Sequence, residues 1–253
     1  MVRRLRISIV YKKGAGAEAH SIKNKAVDAG LEVTGVYGLD EFSQREEDVV
    51  VVVGGDGSFL RVANETDTPI ALVRYRSFGF FSCCGTGDVE EFFCSLREGE
   101  VGCTELGTIE ALFDGGRDLA VNEFFLDGCN NSVDFSIRSG GMEPLLLSFR
   151  GDGTIISTPA GSAGHSLSYG GPLVDLSADV LVLTAVAPIR NRMHSIVFGA
   201  DKELEIEASR PVELLADGRR SYTVSSVMIK RSDKKVMLVR WESMNETIGR
   251  LME

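Results

Sequence analysis

The chain has 253 residues, with 27 lysines and arginines against 37 aspartates and glutamates, and its formal charge is −10. This acidic balance argues against general binding to nucleic acids or anionic membranes, and no apolar run approaches the ~20 residues of a membrane span. Residues 1–13 hold no apolar stretch of signal-peptide length, and five cysteines without a CxxC pair indicate free thiols. A cytoplasmic protein without a disulfide frame or zinc site is therefore expected.

The first hundred residues alternate between strand and helix patterns. The strand-like segments are residues 6–10, 49–53 and 70–73, and the helix-like segments are residues 18–29 and 88–97. The second strand consists of five consecutive valines, which suits a strand covered on both faces, as in a parallel sheet. Each helix-like segment is followed closely by a glycine, where a helix would stop. The pattern predicts an α/β, Rossmann-like domain over residues 1–100.

The pattern changes after about residue 100 to short β-rich segments separated by Gly, Asp, Asn or Ser. These segments are residues 133–138, 145–150, 180–186, 203–207 and 224–230, with one helix-like interruption at residues 160–169. They predict a β-rich, β-sandwich-like domain over residues 101–234. Residues 235–253, which contain the single tryptophan, Trp241, are expected to pack back on the first domain.

The most informative segment is the turn after the valines, Gly54-Gly55-Asp56-Gly57-Ser58. Glycines let the backbone approach a ligand closely, and the N–H groups that begin the next helix attract phosphate oxygens. The turn matches neither GxGxxG nor GxxxxGK[ST], so any phosphate is contacted without a Walker lysine. The alternative is an ordinary tight strand-to-helix turn in which Asp56 caps the helix.

Two later segments bear on the interpretation of this turn. Asn122-Glu123 follows a strand-like run, and residues 150–173 read RGDGTIISTPAGSAGHSLSYGGPL. GGDG resembles a signature shared by NAD kinases, diacylglycerol-type lipid kinases and, more loosely, phosphofructokinases. The later run resembles the NAD kinase signature DGxIxSTPTGSTAYxxSAGGP, which lipid kinases lack. In this order, over roughly residues 49–220, the three motifs resemble those of the NAD kinase family.

The resemblance implies a role for each matching residue. Asp56 matches the catalytic carboxylate that acts on the adenosine-ribose 2′-hydroxyl, and Glu123 matches an acceptor for ribose hydroxyls. The further positions implied to bind the dinucleotide or phosphates are Gly55, Gly57, Arg61, Asn122, Arg150, Asp152, Ala163, Gly164, His165, Ser166, Leu167, Ser168 and Ala187. Mg²⁺ or another divalent cation would accompany ATP or polyphosphate, NAD would lie between the domains and across a subunit contact, and the protein would be a dimer or tetramer.

The sequence departs from the family pattern at three places. Ser58 replaces a threonine, and His165, in Ala163-Gly164-His165, replaces the tyrosine of Thr-Ala-Tyr, which stacks on a ring of the ligand. The family's GINxGxLGFLT survives only at residues 78–82, after Arg74 and Arg76. These arginines are either a phosphate site or surface charge, and surface charge is favoured.

Other polar residues have simpler interpretations. His194 is expected to be structural, Cys83-Cys84 to be packing, and Asp217-Gly218 to be a hairpin turn, with Arg219 a weak candidate for contact with NAD. The function that the sequence favours is an NAD kinase that makes NADP from NAD. The alternatives are a lipid or sugar kinase of the same superfamily and an NAD(P)-binding sensor without catalysis.

Overall fold

The computed structural model describes residues 4–76, 79–140, 145–189 and 195–241, without the side chain of Arg220. Phe78, His194 and residues 242–253, on which predictions were made above, lie outside the described residues. The chain forms two compact units, one of residues 1–105 with 236–253 and one of residues 106–235. No helix in the described part of the chain is long and apolar enough to cross a membrane.

The first unit is built on a parallel sheet in the order β2-β1-β3-β4-β5. Its elements are β1 (Arg6–Tyr11), α1 (Gly16–Asp28), β2 (Glu32–Gly38), β3 (Val49–Gly54), α2 (Asp56–Glu65), β4 (Ile70–Arg74), β5 (Ser82–Gly85) and α3 (Val89–Glu98). The strand order reverses between β1 and β3, because β2 lies on one side of β1 and β3 on the other. Right-handed crossovers then place α1 and α2 on opposite faces of the sheet.

The valine strand is buried on both faces, as its sequence predicts. Val49, Val51 and Val53 pack in one core with residues of α1 and α3, while the alternate Val50 and Val52 are equally buried on the other face, where α2 packs against β3 and β4. Trp241 packs edge-on to Phe92 of α3, with ring centroids 6.1 Å apart. Residues as far as Trp241 therefore complete the core of the first unit.

The second unit is strand-rich, and the pairings within it are antiparallel. The end of its last strand belongs to the first unit, where Leu238 pairs parallel with Ile70 of β4. Its strands are β6 (Gly102–Phe113), β7 (Gly116–Ala120), β8 (Glu123–Asp127), β9 (Val133–Ser139), β10 (Leu146–Gly151), β11 (Gly153–Ser157), β12 (Val180–Val186), β13 (Ser195–Gly199), β14 (Leu204–Ala216) and β15 (Arg220–Arg240). A 3-10 turn (Gly161–Ala163) and the short α4 (His165–Ser168) follow β11. Phe124, Phe135 and Leu214 lie in its apolar core. The boundaries between the units fall inside β6 and β15.

Candidate functional site

The turn between β3 and α2 lies where the strand order of the first unit reverses. Open parallel sheets bind their ligands at the carboxyl ends of the strands beside such a reversal. Gly54 ends β3, Gly55 caps α2 in an extended conformation, and Asp56 is the first helical residue. The sequence motif and the strand order therefore indicate the same place independently.

Two backbone groups hold the carboxylate of Asp56. The N–H of Phe80 donates to Oδ2 at 2.9 Å, and the N–H of Phe81 donates to Oδ1 at 3.1 Å. Burial raises the pKa of Asp56, and these two hydrogen bonds oppose that shift. A carboxylate with a raised pKa and a fixed orientation is a better proton acceptor than an exposed one.

Two other candidates of the first unit, Gly57 and Arg61, follow Asp56 in the sequence. Gly57 is exposed, and nothing described would contact a Cβ there. Arg61 is exposed as well, and its Nη2 lies 2.6 Å from Oδ1 of Asp40. The Arg61 guanidinium is therefore already paired with Asp40, and a phosphate would have to displace that carboxylate in order to bind Arg61.

Glu123 of the second unit is a buried carboxylate with one satisfied oxygen. Its Oε1 lies 3.0 Å from Nδ1 of His165, while Oε2 is buried and has no hydrogen-bond partner within the described residues. The neighbouring Oδ1 of Asn122 is also buried without a partner there. Buried acceptors are normally satisfied by protein, ordered water or a ligand, so this pair offers a place for a group that donates hydrogen bonds, as water and ribose hydroxyls do.

The pair of Glu123 and His165 is electrostatically coupled. The hydrogen bond that His165 makes to the Glu123 carboxylate raises the pKa of His165, while partial burial opposes that rise. Burial raises the pKa of Glu123, and the hydrogen bond and charge of His165 oppose that rise. Nδ1 of His165 lies 3.0 Å from Oε1 of Glu123, so the protonated imidazole forms a hydrogen-bonded ion pair with the buried carboxylate.

Asp217 positions the backbone that carries Asn122 and Glu123. Its Oδ1 accepts from the N–H groups of Asn122 at 2.8 Å and Glu123 at 3.2 Å, and its Oδ2 accepts from Val121 at 3.0 Å. Arg219 donates to Oδ2 at 3.2 Å. Asp217 and Gly218 have φ of 48° and 64°, so they form the predicted hairpin turn. The buried side chain of Asp217 also orders the backbone of residues 121–123, which a hairpin turn does not require.

The loop after β11 packs directly on the same backbone. Oγ1 of Thr158 donates to the carbonyl of Val121 at 2.7 Å, and the N–H of Thr158 donates to the carbonyl of Asn122 at 2.9 Å. A Cβ on Gly161 would collide with the Asn122 backbone, and one on Gly164 would lie 3.1 Å from Oε2 of Glu123. The small residues of this motif are thus required by close packing around the two acceptors.

The short α4 presents its residues in two directions. Ser166 is buried, and its Oγ lies 2.8 Å from Oγ1 of Thr184, whereas His165, Leu167 and Ser168 are exposed and Ala163 is half-buried. Ser166 therefore anchors the loop, and the exposed residues are those that a ligand could contact.

Three predicted residues lie at the opposite end of β11 from Glu123. Ser157 pairs with Glu123, and Gly153 pairs with Asp127, which puts the two ends of this pairing about 13 Å apart. Residues Arg150, Asp152 and Ala187 adjoin the Gly153 end: the N–H of Asp152 donates to Val186, and Ala187 follows β12 with φ of 46°. The second unit therefore separates its predicted binding residues into two groups.

We expect replacement of His165 by Asn to destabilise the protein more at about pH 6 than at about pH 9. The pKa of His165 is raised in the folded state, so its stabilising contribution is complete below the unfolded pKa and is lost as the pH rises through the folded pKa. Thermal unfolding of wild type and variant across this range measures the difference.

The control is His20→Asn, because Nδ1 of His20 lies 2.8 Å from the carbonyl oxygen of Gly16 rather than from a carboxylate. A difference in Tm between wild type and His165→Asn that stays constant across the pH range would contradict the assigned ion pair.

Comparison with known proteins identifies relatives over most of the chain. A family model described as the ATP-NAD kinase C-terminal domain matches residues 122–241. The NAD kinase of Gemmatimonas aurantiaca is 33% identical over 210 residues, covering 76% of this chain and 72% of the relative. The NAD kinase of Thermotoga neapolitana is 27% identical over 238 residues, covering 93% of this chain and 92% of the relative.

A solved structure shows the same fold. The crystal structure of an NAD kinase from Archaeoglobus fulgidus in complex with ATP matches with a TM-score of 0.83 at 22% identity, covering 98% of this chain and 99% of that chain. These likenesses define a kinase with an α/β unit and a strand-rich unit. The chain belongs to the NAD kinase family.

Proposed function

We propose that this kinase transfers a phosphoryl group from ATP or polyphosphate to the adenosine-ribose 2′-hydroxyl of NAD, giving NADP. The observation that carries the proposal is the pair of buried acceptors without partners, Oε2 of Glu123 and Oδ1 of Asn122, beside the exposed His165. Ribose hydroxyls and the exocyclic amine of adenine donate the hydrogen bonds that these atoms lack.

The chemistry assigned to Asp56 is proton acceptance and orientation. Two backbone N–H groups fix its carboxylate, and burial raises its pKa, so it accepts the 2′-hydroxyl proton as the oxygen attacks the terminal phosphorus of the donor. The bond between that phosphorus and the bridging oxygen breaks, and the donor leaves one phosphate shorter, as ADP when it is ATP. Phosphoryl transfer demands little beyond this positioning and charge neutralisation.

Mg²⁺ or another divalent cation is proposed to accompany the donor. In the described part of the chain, no three His, Cys, Asp or Glu side chains are grouped as a metal site. Magnesium usually keeps several waters and binds through one or two carboxylates and the substrate phosphates, so an ion held mainly by the donor phosphates and water needs no cluster of three protein ligands. When bound, the ion would neutralise charge on the donor phosphates.

Residues Arg150, Asp152 and Ala187 are proposed to contact NAD held by a second copy of the chain. Support comes from their place at the far end of β11, about 13 Å along the strand from Glu123. The proposed enzyme is thus a homo-oligomer, a dimer or a tetramer, that works in the cytoplasm.

The test is NADP production from NAD, ATP and Mg²⁺, followed with an NADP-specific dehydrogenase, with polyphosphate as a parallel donor. We expect NADP to form only when both the protein and a donor are present. Binding of NAD or NADP by calorimetry without turnover would replace the proposal with a sensor, and phosphorylation of liposome lipids in preference to NAD would replace it with a lipid kinase.

A further inference from the structure

A cluster of cations follows β1 and β4 beside the Asp56 turn. The N–H of Lys12 donates to the carbonyl of Val53 at 3.1 Å, and the N–H of Tyr75 donates to the carbonyl of Gly54 at 2.8 Å. Lys12 and Tyr75 therefore lie on either side of the strand that ends in the turn. This edge is where a parallel sheet presents its ligands.

Two cations lie over the ring of Tyr75. Nζ of Lys12 lies 5.6 Å from the centroid of Tyr75, and Cζ of Arg76 lies 4.8 Å from it. The phenolic hydroxyl donates to the carbonyl of Gly14 at 3.4 Å, which ties the ring to the loop after β1. The ring attracts both cations, although like charges so close to each other repel.

These two cations are not neutralised by neighbouring acids. Over residues 4–76, 79–140, 145–189 and 195–241, neither Lys12 nor Arg76 forms an ion pair, unlike Arg61, which pairs with Asp40. Arg74 lies near Asp88: Nη2 of Arg74 and Oδ2 of Asp88 are each 3.3 Å from the position of a Cβ on Gly85. In a chain of net charge −10, an unneutralised pair at this edge attracts an anion locally.

The backbone at Arg76 supports a specific role for its side chain. Arg76 has φ of 63°, a left-handed conformation that non-glycine residues adopt rarely and at some energetic cost. A plain surface charge does not need this conformation, which here accompanies the stacking of the guanidinium on Tyr75. The sequence alone favoured surface charge for Arg76, and the contacts favour a site.

We propose that Lys12 and Arg76, arranged on Tyr75, form a subsite that binds the phosphate chain of the donor. The ligand is a linear oligophosphate, carried by a nucleoside triphosphate or supplied as inorganic polyphosphate. This inference rests on the proposed kinase function. Lys12 lies outside the motifs named above, and Arg76 lies in the segment where the family's earlier glycines are replaced. The subsite adjoins the Asp56 turn through the carbonyls of Val53 and Gly54.

The test measures binding of inorganic tripolyphosphate and of ATP to wild type and to the double variant Lys12→Gln/Arg76→Gln. A hydrogen bond to a charged group contributes about a factor of ten or more to Kd, so we expect the double variant to bind tripolyphosphate at least about tenfold more weakly. Binding by wild type should weaken steeply with added salt. The Kd for NAD and the Tm should change little, which shows that the variant is folded.

The matched control is Lys23→Gln/Arg117→Gln, which removes two exposed cations elsewhere and should leave tripolyphosphate binding unchanged. If the double variant binds ATP and tripolyphosphate equally more weakly than wild type does, the subsite binds both nucleoside triphosphates and polyphosphate. If only its binding of tripolyphosphate is weaker, the subsite binds polyphosphate. Equal tripolyphosphate binding by wild type and the double variant, or none by wild type, overturns the inference even if NADP is made. Binding that depends on Lys12 and Arg76 upholds the anion subsite even if no NADP is made.

Discussion

Replacing Asp56 with Asn will lower turnover of NAD by about 100- to 10,000-fold, the range that a positioned general base contributes. The amide cannot accept the 2′-hydroxyl proton, although its oxygen can still accept one of the two backbone hydrogen bonds that now fix the carboxylate. Turnover under saturating NAD and donor, with the Kd for NAD measured separately, tests this. We expect that Kd to change little, because the carboxylate acts on the reacting hydroxyl.

The matched control is Asp28→Asn, which removes an exposed carboxylate of the same unit, at the end of α1. Its turnover should stay close to wild type. An Asp56→Asn enzyme that turns over as fast as the control would remove the assigned role, and a large drop in Tm in Asp56→Asn alone would assign the loss to folding instead.

Asp217→Ala is expected to lower both the stability of the protein and its affinity for NAD. Three N–H groups, of Val121, Asn122 and Glu123, lose their acceptor, and each buried donor left unsatisfied costs about 1–3 kcal/mol. Alanine also tolerates the φ of 48° less well than aspartate does. We expect the free energy of unfolding to fall by about 3 kcal/mol or more, since these costs add in the same direction.

The measurements are denaturant unfolding and NAD calorimetry. Asp127→Ala is the control: its Oδ1 accepts one exposed hydrogen bond, from the N–H of Cys129 at 2.8 Å, and its loss should cost about 1 kcal/mol or less. If Asp217→Ala loses no more stability than this control, Asp217 does not position Asn122 and Glu123.

The fold could be predicted wherever the sequence carried its own signal. The valine strand and α3, which ends at Gly99 with φ of 75°, follow from side-chain pattern and capping alone. The strands β2 and β5 were not predicted, because the partly exposed Glu32–Gly38 contains glycines and Ser82–Gly85 consists of small residues. Both segments become strands through pairing with β1 and β4, which no local pattern records.

The site shows the same division. Asp56 and Glu123 are identifiable because each belongs to a short contiguous motif. The role of Asp217 depends on contacts with residues 94 to 96 positions earlier in the chain, and a local turn signal accounts for Asp217 completely without them. The backbone hydrogen bonds from Phe80 and Phe81 to Asp56 likewise join residues that are 24 and 25 positions apart. Sequence reasoning identified Asp56 and Glu123 as candidate residues, and it missed groups that hold them in place, such as Asp217 and the backbone of Phe80 and Phe81.

The first unit is built from two separate segments of the chain, so its core cannot be completed until the second segment has been synthesised. Leu238 pairs with Ile70, and Val239 and Trp241 join the same unit as residues 1–105, yet residues 106–235 are made between them. During synthesis, the strands that carry the Asp56 turn therefore emerge early and await their last partner until the strand-rich unit has been translated. The Asp56 half of this kinase therefore leaves the ribosome before its core is complete, and apolar surface that is transiently exposed in this way favours aggregation.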